Sequence, residues 1–188
     1  MTLLIAGLML FFVPHVLPMS PSRRASLVQT LGPARYKAAF SVASGLGLFL
    51  IVIGYAYGYR GAQWFAPYPA ARTAAPFAMI VVFILLAAAN SPSHIRATIK
   101  HPMLIALLIW SIVHLLANGD ARGTVLFGSF AAYAVVDLLS AMKRGTVATF
   151  VPRARADSIS IVAGTVVALL VMTFHRVLFG PSVVSFGV

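Results

Sequence analysis

The sequence predicts an all-α fold, a polytopic membrane helix bundle of about six transmembrane helices. Composition carries the prediction first. Hydrophobic residues make up 61% of the chain and charged residues 9%, where a soluble domain holds roughly 45–50% and about 25%. Segment length carries it second. Six apolar runs, at 2–18, 38–59, 75–90, 102–118, 123–142 and 159–179, lie near the ~17–25 residues that cross the hydrocarbon layer. The connections between them are too short for a soluble domain, so residues 1–188 read as a single transmembrane domain.

The runs have recognisable boundaries. Thr2 to Leu17 reads as a retained first helix, because it lacks the basic start and small-x-small cleavage site of a secretory signal. Pro14 predicts a kink beside His15, with a freed carbonyl nearby. The second run carries Ser41, Gly45, Gly47 and Gly54, which predict close helix contacts in lipid. Gly128 and Ala132 in the fifth run, and Gly164 and Ala168 in the sixth, predict the same. The third run is the shortest, opening at Pro76 and ending at Asn90-Ser91-Pro92. The fourth opens at Pro102, which suits the first helical position because its missing N–H costs nothing there. Asn118-Gly119 closes it through a left-handed residue. Asp157 or Ser158 is expected to cap the sixth helix.

Charge gives orientation and partners. The chain carries 14 Lys+Arg against 3 acids, a net +11. These cations sit between apolar runs, so membrane lipids with anionic headgroups are the expected partner. No basic face joined to exposed aromatics on a soluble domain points to nucleic acid. Ten of the cations, from Arg23 to Arg155, fall on one side, and Arg60, Arg72, Arg122 and Arg176 fall on the other. The positive-inside rule places the ten in the cytoplasm, so both termini are expected in the periplasm of a bacterial inner membrane. With no cysteine, thiolate and disulfide chemistry are excluded.

Histidine is then the strongest transition-metal ligand type available. His94 lies in a polar connection and reads as solvated. His101 precedes Pro102 at a helix start, where a bond to backbone explains it. His175 adjoins Arg176 near the C-terminal end of the last helix, where cations are favoured. His15 either satisfies the irregular backbone at Pro14 or points into the bundle as a ligand. His114 is flanked by apolar residues, and Trp110, His114 and Asn118 share one helical face at i, i+4, i+8. It reads as a ligand or catalytic group, or as a side chain bonded to a helix neighbour. His101 and His114 are ~20 Å apart along the helix and cannot clamp one metal. Asp137 is the acid inside a span, one turn beyond Tyr133. It either pairs with a cation at its end of the helix or orients an imidazole. A local ion pair with Arg122 is the plain reading of Asp120.

The stretch Lys100-His101-Pro102-Met103-Leu104, with Trp110 and His114-Leu115-Leu116-Ala117-Asn118-Gly119-Asp120, resembles the signature of the NnrU family. Pro14-His15, the basic segment with Gly32, Arg35 and Tyr36, and Phe127-Gly128-Ser129-Phe130 with Asp137 resemble it too. The resemblance covers about 1–145, followed by a further C-terminal transmembrane helix at about 159–179. It implies a multi-pass protein linked to denitrification and to nitric oxide and nitrite metabolism, partnered with a nitrogen-oxide reductase system. The family is similar to 15-cis-zeta-carotene isomerase, a membrane enzyme that uses haem b. That similarity implies His15 and His114 as haem-iron ligands and His101 as a further cofactor-binding residue. Trp110, Asn118, Asp120 and Asp137 are then supporting residues, and no catalytic residue is assigned. His114 with His175 is a rival ligand pair at similar depth. Two alternatives stand beside this one: a haem-dependent cis–trans isomerase of a polyene, acting on a small hydrophobic substrate, and a cofactor-free membrane assembly subunit. A membrane methyltransferase fits less well, because Lys-His-Pro stands for Arg-His-Pro and no late acidic pair follows.

Overall fold

In a computed structural model, residues 1–179 are described and form eight α-helices. These are α1 (Thr2–Val16), α2 (Pro21–Leu31), α3 (Pro33–Tyr57), α4 (Pro69–Ala88), α5 (His94–Ile99), α6 (Pro102–Asn118), α7 (Ala121–Lys143) and α8 (Ala154–Phe179). Five of the long helices are long and apolar enough to cross a membrane, and α6 is a shorter apolar helix of 17 residues. At 1.5 Å per residue α6 covers ~25 Å, the lower limit of a span. The chain is a multi-pass membrane protein. Its outward faces carry exposed Leu46, Phe49, Val52, Val162 and Leu170, which meet lipid.

Neighbouring helices form a chain of contacts: α3 on α1, α1 on α7, α7 on α6, α6 on α4, α4 on α8. The α1–α3 pair is antiparallel and very close. A Cβ on Gly7 would lie 2.6 Å from the Ile51 nitrogen, and one on Gly47 would lie 2.6 Å from the Phe11 nitrogen. Gly164 brings α8 onto α4 in the same way, 2.5 Å from the Ile84 Cα. Ala168 is fully buried beyond it. Lipid gives helix association little hydrophobic drive, so backbone approach of this kind supplies the packing energy.

The small-residue expectation holds at Gly47, Gly54, Gly164 and Ala168 and fails elsewhere. Gly45 and Gly128 face open space, and Ser41 and Ala132 are exposed. Those positions lie on faces turned from the neighbouring helix. Gly7, overlooked in the sequence, contacts α3 instead.

Helix starts also shift. α3 begins at Pro33 rather than 38, and α8 at Ala154 rather than 159. α4 begins at Pro69 and runs through Pro76, so Pro76 does not start the third span. A buried or lipid-facing proline is tolerated because neighbours re-satisfy the freed carbonyl. The basic segment after α1 is the helix α2, and the polar connection at 94–99 is the helix α5. Asp157 lies inside the first turn of α8 and does not cap it. Its carboxylate instead accepts from the Ile95 N–H (3.0 Å) and contacts His94 Nδ1 (2.7 Å). It therefore caps α5 from a distance, and His94 is paired rather than simply solvated.

The two ends of the bundle differ. At the basic end, Arg144 donates to the Met19 carbonyl (3.1 Å) and the Arg153 N–H donates to the Pro92 carbonyl (2.9 Å). At the other end, residues 58–68 fold over the corner between α6 and α7. Tyr68 N–H donates to Leu116 O, Trp64 N–H to Gly119 O, and Gln63 Nε2 to Asn118 O, at 2.8–2.9 Å. Arg72 Nε donates to Ala117 O (3.1 Å). The carbonyls that a helix C-terminus leaves without partners are thus taken up by this loop and by Arg72 in the first turn of α4. Gly119 turns the corner at φ 74° and its missing Cβ leaves room for the Phe65 carbonyl. Gly119→Ala is expected to destabilise by at least ~1–2 kcal/mol from the left-handed backbone alone. Contact with Phe65 adds to that, and a lowered thermal midpoint in detergent is the check.

Candidate functional site: an aromatic seam with a histidine at each end

Between the α1–α3 pair and the α6–α7 pair the helices are held apart by rings. Phe11 and Phe12 of α1 reach Phe130 of α7, with centroids 5.7 and 5.0 Å apart. Phe130 meets Trp110 of α6 at 5.5 Å, edge to face. Trp110 meets Phe127 at 5.1 Å, and Phe127 meets Tyr55 of α3 at 6.1 Å. These offset and T-shaped arrangements are those that aromatic quadrupoles favour. Leu4, Leu8, Ile51 and Leu126 complete the core around them.

A histidine stands at each end of the seam. His15 stacks on Phe11 (4.2 Å) and meets Phe40 (5.0 Å) and the edge of Tyr133 (6.1 Å). His114 lies against Trp110 (5.2 Å) and Phe127 (5.0 Å). Both are half-buried. Both make the same bond one turn back. His15 Nδ1 donates to the Phe11 carbonyl (2.6 Å), and His114 Nδ1 donates to the Trp110 carbonyl (2.8 Å). A carbonyl only accepts, so each Nδ1 carries the proton and each Nε2 keeps its lone pair. A backbone bond of this kind sets the tautomer and aim of a ligating imidazole. His15 thus bonds the carbonyl one turn back, in the turn interrupted by Pro14.

The two imidazoles are not brought to one point. His114 lies at the level of Phe127 and His15 at the level of Tyr133, six residues or ~9 Å along α7. The rings of Phe11, Phe130 and Trp110 fill the way between them. Two nitrogens on one iron stand roughly 4 Å apart, twice a metal–nitrogen bond of about 2 Å. The shared His15–iron–His114 arrangement therefore does not fit this packing. His175, half-buried and beside Phe179 (4.9 Å), lies within electrostatic reach of His114. It is at the same end of the bundle. His101 holds the N-cap position of α6, at the opposite end of that helix from His114. It joins neither imidazole.

The supporting residues divide in the same way. Asn118 Nδ2 donates to the His114 carbonyl (2.6 Å) and continues the Trp110 face. Asp137 accepts from the Tyr133 hydroxyl (3.1 Å) and lies 3.8 Å from Arg144. The ion pair with a cation at its own end is therefore formed, and Asp137 reaches His15 only through Tyr133. Asp120 does not pair with Arg122. Its carboxylate accepts from the Gly123 N–H (2.8 Å) as the N-cap of α7. Arg122 turns away to the end of α3, donating to Tyr55 O and Gly58 O. No group of three or more His, Asp or Glu side chains converges as a metal site among the described residues.

Six apolar helices, an α6 opening at His101-Pro102 and closing at Gly119, and two inward imidazoles match the expected signature in place. A family model described as NnrU protein matches residues 3–183. The chain belongs to the NnrU family. The match runs past residue 145, where the motif residues end, and through α8. No curated protein and no solved structure matches the chain. What sequence reasoning missed in this NnrU protein is the seam itself. Phe11, Phe12 and Tyr55 look like ordinary lipid-soluble residues until three helices are superposed.

Proposed function

We propose that this NnrU protein serves bacterial nitrogen-oxide metabolism in the inner membrane, with both termini periplasmic. We propose further that it binds haem b through His114, in association with a nitrogen-oxide reductase system. One observation carries the cofactor reading. His114 commits Nδ1–H to the Trp110 carbonyl and holds an Nε2 lone pair among aromatic rings. A bare transition metal needs three or four protein ligands, which the described residues do not assemble. A haem brings four nitrogens of its own and needs only one or two from the chain. The packing separates His15 from His114, and His114, whose ring neighbours are Trp110 and Phe127, is assigned as the ligand in this reading, while His15, beside Tyr133 and its Asp137, holds the basic end of the seam. When bound, haem supplies an iron for electron transfer or for binding nitric oxide. The Trp110 carbonyl holds the imidazole in place, Asn118 fixes the His114 backbone carbonyl, and Phe127 shields the ring from water.

The visible spectrum of the detergent-purified protein, oxidised and dithionite-reduced, tests this. A b-type spectrum is expected in the wild type and in His15→Ala, with loss of most of the haem in His114→Ala. A colourless protein expressed with ample haem sinks the cofactor reading. Equal loss in both variants restores the two-histidine iron and requires the seam to part.

A second observation favours the isomerase reading. A groove of about 670 Å³ runs between α1 and α7, lined by Leu8, Met9, Phe12 and Val13, with Arg23 at its mouth. A polyene is a long apolar rod of the kind such a groove takes. Chromatography of carotenoid isomers after expression in a carotenoid-producing host is the test. An unchanged isomer ratio removes this reading.

A further inference from the structure

Arg122 is the most unusual charge in the molecule. It is 8% exposed and packs over the Tyr55 ring at 4.3 Å. One guanidinium nitrogen donates to Tyr55 O and to Gly58 O. Its Nε is buried without a partner. No acid forms an ion pair with it among the described residues, and the Asp120 carboxylate, two residues away, is directed to the Gly123 N–H instead of the guanidinium. The carbonyls at the end of α3 offer roughly half a negative charge. A buried guanidinium needs a fuller counter-charge, because an isolated buried ion costs several kcal/mol or more in solvation.

The missing charge has a place to sit. A cavity of about 540 Å³ opens beside Arg122, lined also by Tyr55, Gly58, Tyr59, Arg60 and Phe179. Arg60 is exposed, and its backbone carbonyl accepts from the Arg122 backbone N–H (3.0 Å), so the two main chains are held side by side and both side chains line the cavity. Two guanidiniums and two tyrosines therefore line one space, and no carboxylate lines it among the described residues. A guanidinium presents paired N–H donors that match the oxygens of a carboxylate, nitrate or phosphate group.

We propose that this cavity is an oxyanion site, with Arg122 as its buried anchor and Arg60 as its exposed arm. It takes either a small soluble oxyanion or the phosphate of an anionic lipid headgroup, since the recognising chemistry is the same. It goes beyond the haem reading and does not depend on it, because it lies at Arg122 and not at His114.

The test is thermal unfolding of the full chain in a non-ionic detergent, titrated with phosphate, sulfate or nitrate against chloride at matched ionic strength. A saturable rise in midpoint with the oxyanions and not with chloride is expected. Arg60→Gln is expected to weaken the apparent affinity about tenfold, the effect of one charge-assisted hydrogen bond. Arg60→Lys is expected to recover part of it. Repeating the titration in nanodiscs separates the sources. A response in phosphatidylcholine that disappears in phosphatidylglycerol identifies the lipid phosphate, and an equal response in both identifies a soluble anion. No difference between oxyanions and chloride, or wild-type affinity in Arg60→Gln, overturns the proposal.

Discussion

Gly47→Leu is expected to separate α1 from α3 and to cost at least ~3 kcal/mol, the upper part of the range for overpacked cores. The reason is what the new side chain meets. Its Cβ alone would lie 2.6 Å from the Phe11 nitrogen and 2.8 Å from the Phe11 Cα. Backbone cannot swing aside as a flexible side chain does, so the helices must part along their length. Gly7 and Gly54 then lose their contacts with Ile51 and Leu4 as well. Gly45→Leu is the matched control, because a Cβ there meets nothing within 4 Å. Unfolding in mixed micelles of rising SDS content should show a large shift for the first variant and little for the second. Equal shifts would mean that the close approach of α1 and α3 contributes nothing particular.

Phe130→Ala is expected to cost about 3 kcal/mol, the low end of the Phe→Ala range. The transfer part of that range is muted here, because the unfolded side chain still rests in lipid. What remains is packing. Phe130 is 9% exposed and touches Phe11 and Phe12 of α1 and Trp110 of α6, so it joins the two halves of the bundle. Its removal leaves a cavity between the two halves of the bundle. The same change has a functional side under the haem reading. It removes one of the three rings between His15 and His114 and loosens the packing against Trp110, which holds His114, so a shifted or weakened haem spectrum is expected along with the lower stability. Loss of stability without a spectral change would leave Phe130 as core alone.

The sequence made some parts of this legible and not others, for physical reasons. Spans were readable because lipid imposes length and apolarity on each helix separately. The ends of α6 were readable because Pro102 and Gly119 have backbone limits that hold in any context. α2 and α5 were not, because short surface helices leave no hydropathy signal. Pro76 misled because its breaking effect in water is relieved inside a bundle. Asp157 misled because the helix it caps is sixty residues earlier in the chain. The site shows the same division. Position along α1 and α6 gave the depth of His15 and His114, and their tautomers follow from bonds within one turn. Which rings stand between them depends on lateral packing, to which Phe11, Trp110 and Phe130 contribute from three separate helices. The close contact at Gly7 was missed for the same reason, since nothing in one helix marks which of its faces another will approach.

The loop at 58–68 bears on how the protein is made. Its Ala62, Trp64 and Tyr68 backbone groups are matched to Leu116, Gly119 and Ala121, which emerge from the ribosome some fifty residues later. Until then those groups stay with water, and α3 and α4 have no fixed end. The latch closes only once α6 and the start of α7 have been inserted. A ribosome stalled before residue 116 should therefore leave the loop open to protease, and one stalled well into α7 should not.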